Sequence, residues 1–249
     1  VSPKLGGLPL LGTARQLFAD EGDGRPLMIG GARELVPVLA RELRAGGDAS
    51  AVREGGAPAS AAALVWVGAA DEDVLRKATK AKVPIVGVTD GESLPYVYDT
   101  DLVTVRAGQG FPVEEIASLL ARQLRERGTS LAARLPVLRG AVVEELISTS
   151  ARHNAVIAAG LIVPGVDMPV LTVNQVRLVL RIARAYGHEI DRNRLPEVLG
   201  VVGAGLGWRT VARELLDFVP VAGWAVKGGI AFAGTRAVGE AARRYFAAR

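Results

Sequence analysis

Two rhythms of apolar and polar residues divide the chain. Between residues 25 and 128, short apolar runs alternate with stretches of helical period. RPLMIGG (25–31), AALVWVGA (62–69), VPIVGVTD (83–90) and DLVTVRAG (101–108) are unbroken apolar runs of strand length. ARELVPVLARELRAGG (32–47) spaces Leu35, Leu39 and Leu43 as one face of a helix. DEDVLRKATKAK (71–82) and PVEEIASLLARQLRERG (112–128) open on acids or on proline and acids, as helix N-termini do. GGDASAVREGGAPASA (46–61) reads as a Gly/Ala/Ser-rich loop, and Trp66 as part of a sheet core. Continuous apolar strands separated by helices predict a parallel sheet covered on both faces.

Beyond residue 128 the alternation stops. Long apolar helical patterns are broken at VPGVDMP (163–169), YGHEIDRNRLP (186–196) and FVPVAG (218–223). The segments 161–187 and 217–246 resemble each other, each with Val-Pro, an apolar stretch, and an arginine-bearing end before a tyrosine. They read as two related helical hairpins. A spanning helix needs about 20 mainly apolar residues. The runs 155–164 and 198–208 are shorter, and 215–234 contains Asp217, Pro220 and Lys227. None is a clean span, so short paired helices are expected, buried in a bundle or dipping into one leaflet. Gly203 and Gly207 form a G-x-x-x-G that lets helices approach closely. Asp167 is placed to cap the helix that follows, with Pro169 in its first turn. Gln175, eight residues on, needs hydrogen-bond partners if buried.

Composition narrows the chemistry. Of 249 residues none is cysteine, which removes disulfides, thiolate metal sites and cysteine nucleophiles and fits a reducing compartment. VSPKLGGLPLLG at the start lacks the long apolar stretch of a secretory signal. The net charge of +4 is uneven: residues 1–130 carry 15 Lys/Arg against 17 Asp/Glu, and residues 131–249 carry 15 against 9. Few aromatics and no recognition motif argue against nucleic acid. An anionic membrane surface or an acidic partner suits the basic half better. Arg177, Arg181 and Arg184 lie on one face of their helix and are the candidate contact stripe, with a plain solvated face as the other reading. His153 and His188, the two histidines, lack a carboxylate or serine arrangement; no catalytic residue, metal ligand set or cofactor is assigned. His153 reads as a surface or core residue of a helix and His188 as a loop residue. Trp208 and Trp224 flank the glycine-rich region as interfacial anchors or packing residues.

The apolar run ending in Gly30-Gly31-Ala32-Arg33, followed by a helix, has the outline of a phosphate loop. A working loop of the form GxxxxGK[ST] supplies a lysine for the phosphates and a hydroxyl for magnesium. Here both are missing from their places, as is the second glycine, and Glu34 stands beside Arg33. Residues 63–92 resemble the stretch of Era/TrmE-like small GTPases that runs from the central strand to the guanine-specificity strand. The family's [NT]KxD corresponds to Thr89-Asp90-Gly91-Glu92, with the lysine gone and glutamate in place of aspartate. TVRAGQGFPVEEIASLLARQL (104–124) is similar to the family's SAxxGxGIxxLxxxL segment through Ala107, Gly108 and Gly110. Residues 47–62 are too few for the family's usual switches. The resemblance covers roughly 25–124 and implies a GTPase layout stripped of catalytic letters.

IVPGVDMPVLTVNQVRLVLRIARAYG (162–187) resembles the signature of the YcjF-like family, membrane-associated bacterial helical domains paired with or fused to Era-like GTPases. The matching residues are Pro164, Gly165, Asp167, Leu171, Gln175, Tyr186 and Gly187. Together the two resemblances imply an α/β domain at 25–128, a degenerate P-loop-GTPase-like parallel sheet, after an N-terminal segment 1–24. An all-α helical-hairpin domain follows at 129–249. The expected function is a non-catalytic scaffold or adaptor that associates with a membrane, with itself, or with a GTPase or other protein. Its expected location is the cytoplasm, peripheral to or inserted in the inner membrane. The alternatives are a nucleotide switch with a non-standard loop (Gly30, Gly31, Ala32, Arg33, Thr89, Glu92) and a soluble homo-oligomeric scaffold.

Overall fold

The computed structural model describes residues 23–106, 108–160, 167–188, 200 and 223–249, and of 167–170, 172 and 223–225 the backbone alone. Five parallel strands form one sheet in the order β2-β1-β3-β4-β5: β1 (Leu27–Gly31), β2 (Val52–Glu54), β3 (Ala63–Val67), β4 (Ile85–Thr89) and β5 (Leu102–Thr104). Ile29 lies opposite Val65, Val65 opposite Val86, and Val88 opposite Val103. The parallel sheet expected from the apolar runs is present. The expected loop at 46–61 is corrected: it contributes β2, which pairs Val52 with Leu27 at the sheet edge. Three residues flanked by Gly55 and Gly56 are too short for alternation to announce a strand.

Both faces of the sheet are covered. Met28, Leu64 and Trp66 pack with Leu75 and Ala78 of α2 (Glu72–Lys80) on one face. Trp66 is in the sheet core as read, its indole N–H donating to the carbonyl of Ala69 at 2.9 Å. Leu27, Ile29 and Val65 face α1 (Val36–Arg44) and α3 (Val113–Leu124) on the other. Leu39 and Leu43 of the expected α1 face are buried. Leu35 is not: Ala32–Leu35 forms a turn, the helix starts at Val36, and Leu35 is exposed.

The helix expected through residue 128 stops at Leu124. Arg125 adopts a φ of 52°, which breaks α3 into a 3-10 turn at Arg125–Arg127. Then follow α4 (Gly128–Arg134), α5 (Pro136–Gly160), α6 (Asp167–Ala185) and α7 (Gly223–Ala247). Over their described part the two segments read as hairpins, 161–187 and 217–246, are corrected: 167–185 and 223–247 each form one helix. α5 and α7 each run 25 residues, longer than expected. The run 198–208, apart from Gly200, and residues 215–222 lie outside the described residues. α5 buries Leu138, Val142, Leu146 and Ile147, a stripe of helical period that the sequence reading did not resolve into one element. Buried side chains connect without a gap from Leu27 in the sheet, through Leu120 and Leu131, to Leu178 and Phe246.

Polar contacts fix this packing. Arg134 of α4 donates to Asp48 Oδ2 at 2.9 Å, to Ser50 Oγ at 3.0 Å and to the Gly24 carbonyl at 3.2 Å, joining the helices to the loop before β2. Asp48 also accepts from the Ser50 hydroxyl and backbone N–H, and these bonds with Arg134 hold its carboxyl below the usual carboxylate range. Across the bundle, Glu144 of α5 takes Arg236 at 3.0 Å and Arg243 at 3.2 Å from α7. Burial works to raise its pKa, but Arg236, Ser148 and Arg243 together bring it down. α5 and α7 cross closely: a Cβ on Gly239 would lie 2.6 Å from Ile147 Cγ1.

α6 ends by geometry the sequence displays. Gly187 has φ +81°, its N–H donates to the Arg184 carbonyl and that of His188 to Ala183. This is a Schellman ending, which favours glycine at that place. His188 follows it as the loop residue expected, its ring 5.6 Å from that of Phe246.

Candidate functional site

In a sheet of this order the chain reverses between β1 and β3, and ligands of such sheets sit beyond the carboxyl ends of the strands at that point. The doubtful nucleotide residues Gly30 to Arg33 lie here, and several of their groups are engaged in the fold. Gly30 is buried beneath Trp66, whose Cζ3 would be 2.8 Å from a Cβ. Gly31 has φ 120° and lies so close to Val67 that a Cβ would be 1.9 Å from its carbonyl oxygen. The N–H of Ala32 donates to that same oxygen at 2.8 Å. Gly68, φ +87°, brings the end of β3 against Ala32, 3.1 Å from Ala32 Cβ to a Cβ built there. The glycine pair therefore serves the close approach of two strands and the turn that follows. Arg33 and Glu34 are exposed side by side on that turn.

The same holds at the next strand ends. Asp71 accepts from the N–H groups of Asp73 and Val74, so its own carboxylate caps α2. The buried Thr89 hydroxyl donates to the Glu92 carbonyl at 2.8 Å and accepts from Gly91 N–H at 3.3 Å. Segment 89–92 thus closes on itself, with the Glu92 side chain exposed.

In the helical half, Pro164, Gly165, Gly203, Gly207 and Trp208 lie outside the described residues, as do the side chains of Asp167 and Trp224. α6 begins at Asp167, and the cap reading turns on a side chain outside the described residues. Gln175 is partly buried on α6. The arginine stripe is drawn inward. Arg177 and Arg181 line a cavity of about 180 Å³ with Glu126, Thr149, Ser150, His153, Asn154 and Asn174. Arg181 is paired with Glu126 at 2.5 Å, and the positive φ at Arg125 is what turns Glu126 toward it. Arg184 lies a turn further along, partly buried in the last turn of α6.

The floor of the cavity is a polar relay through the bundle. Asn174 of α6 donates to Asn154 Oδ1 at 2.9 Å; Asn154 of α5 donates to Thr235 Oγ1 of α7 at 2.9 Å; Thr235 donates to the Ala231 carbonyl at 2.8 Å. Asn154 and Thr235 are fully buried. Each link satisfies a group that burial would otherwise penalise, and together they fix the rotation of three helices. Asn154→Ala leaves the Asn174 donor and the Thr235 acceptor unpaired and should cost about 1–3 kcal/mol. Urea unfolding measures this; a change within error would show that the relay contributes nothing.

Sequence reading picked out Arg177 and Arg181 but missed Glu126, Asn154 and Asn174. The available signal was an asparagine inside the apolar run HNAVIAAG, where a polar side chain needs a partner. His153 is on the helix surface, exposed at the rim of the cavity. No described helix is long and apolar enough to cross a membrane, and the described residues hold no His/Asp/Glu cluster fit for a metal ion. Comparison with family models, curated proteins and solved structures finds no match to this chain.

Proposed function

We propose that this protein is a non-catalytic adaptor: its α/β half has the layout of a small GTPase without nucleotide handling, and its helical half does the binding. One observation carries the reading. Three groups at the carboxyl edge are spent on the fold, with Ala32 N–H on Val67, Asp71 on its own helix and Thr89 on its own turn. Phosphoryl transfer depends on positioned cations and donors, and the exposed Arg33 beside Glu34 is a poor substitute.

The helical half supplies a different surface. Arg177 and Arg181 line a concavity and Arg181 is already paired, which suits an anionic group on a partner better than the plane of a lipid surface. Calorimetric titration of the full chain with GTP, GDP and ATP in magnesium tests the reading. The expected result is no saturable heat up to millimolar nucleotide and no phosphate release. Micromolar binding of any of the three would replace the adaptor by a nucleotide switch. Sedimentation without detergent and flotation with anionic vesicles then report whether the adaptor joins copies of itself or a membrane.

A further inference from the structure

We infer that the cavity between α5, α6 and the Arg125–Arg127 turn binds a single small oxyanion, a phosphoryl or carboxylate group. The inference rests on the reading of the helical half as the binding part. Donors outnumber acceptors there. Arg177 and Arg181 bring guanidinium forks, Ser150 a hydroxyl and His153 a ring N–H, whereas the one carboxylate, Glu126, is engaged by Arg181. The Thr149 hydroxyl is already given to Glu145 at 2.7 Å. Arg177 has no carboxylate partner among the described residues, so the wall carries an unbalanced, partly buried positive charge.

Arginine beside arginine around a concavity is unfavourable until an anion enters, and the fork geometry matches two oxygens of one group. Size sets the ligand. A cavity of about 180 Å³ is smaller than the roughly 300–1,000 Å³ of pockets that enclose drug-sized molecules. The concavity takes in one oxyanion group and is too small to enclose a whole nucleotide. The floor is rigid, because Asn174 is held by Asn154 and Asn154 by Thr235. The site is therefore formed before the ligand arrives, and ordering it costs little.

The test uses the full chain, with inorganic phosphate and acetate as probes and sodium chloride at equal ionic strength as the control. A ligand that binds only the folded state raises the melting temperature by mass action. Phosphate or acetate should stabilise the parent beyond chloride, saturably, and the better probe identifies the phosphoryl or carboxylate source. Arg177→Gln should melt no lower than the parent without anion, having no ion-pair partner among the described residues to lose. It should weaken anion binding by ~10-fold or more, the loss of about one charge-assisted hydrogen bond. Ser150→Ala should weaken it less. Stabilisation by neither probe beyond chloride, or equal stabilisation of the parent and Arg177→Gln, would overturn the inference. Nucleotide binding at the sheet edge would survive Arg177→Gln, so failure of the adaptor reading is seen separately.

Discussion

Gly31→Val should destabilise the protein by roughly 3 kcal/mol or more. The added Cβ would lie 1.9 Å from the Val67 carbonyl oxygen, and that oxygen cannot withdraw because it accepts the Ala32 N–H at 2.8 Å within the β1–β3 pairing. Moving it breaks the turn into α1; leaving it forces the clash. The φ of 120° adds strain for a β-branched residue. Overpacking alone costs about 1–3 kcal/mol, and the strained backbone brings the expected loss to roughly 3 kcal/mol or more. That is a large part of a domain's typical ~5–15 kcal/mol. Gly91→Ala is the contrast, since φ is 113° there but no atom lies within 4 Å. It should cost about 1 kcal/mol, from the backbone alone. Urea unfolding of both variants separates the roles. If Gly31→Val unfolded with the parent midpoint, the packing explanation of the glycine pair would fail.

Leu120→Ala has the other large expected effect, and it should reach both halves of the chain. Leu120 is fully buried on α3, which lies between the sheet and α5, and the buried cluster it belongs to continues from Leu27 to Phe246. Truncating a buried leucine costs about 2–5 kcal/mol, more where the surroundings cannot collapse into the space. α3 is held on one side by parallel strands and on the other by a 25-residue helix, so little collapse is available. The expected result is a single unfolding transition, shifted equally for probes on the sheet and on the bundle. With Trp208 and Trp224 replaced by Phe, Trp66 fluorescence follows the sheet, and far-ultraviolet dichroism is dominated by the helices; a shift confined to one of them would contradict a shared core.

Much of this fold was legible because the sheet is buried on both faces. Strands β1, β3 and β4 therefore appear as unbroken apolar runs, and the helices between them carry a period and acidic or proline starts. β2 was not legible, since an edge strand of three residues held by backbone bonds leaves no pattern in its side chains. The break at Arg125 was hidden for a similar reason: arginine seldom takes positive φ, and no glycine marks the turn. Leu35 fits the α1 face by spacing, but the bond from Ala32 to Val67 holds the chain in a turn until Val36. The arginine stripe on α6 was visible as a stripe, but its concave setting was not. That setting depends on Glu126 from a distant segment and on a relay whose members lie 20 and 81 residues apart. The glycine pair at Gly30-Gly31 looked like half of a phosphate loop because both uses require backbone without a side chain. Trp66 and the Val67 carbonyl show the packing use, and no local sequence pattern shows either contact.

The most direct test of the account is an amide chemical-shift map of the full chain, with magnesium nucleotide added in one series and phosphate in another. Phosphate should move residues 149–154 and 174–181, and nucleotide should leave 30–34 and 89–92 unmoved. Saturable nucleotide shifts at Gly30–Arg33 and Thr89–Glu92, with none around Arg177 in phosphate, would contradict the account.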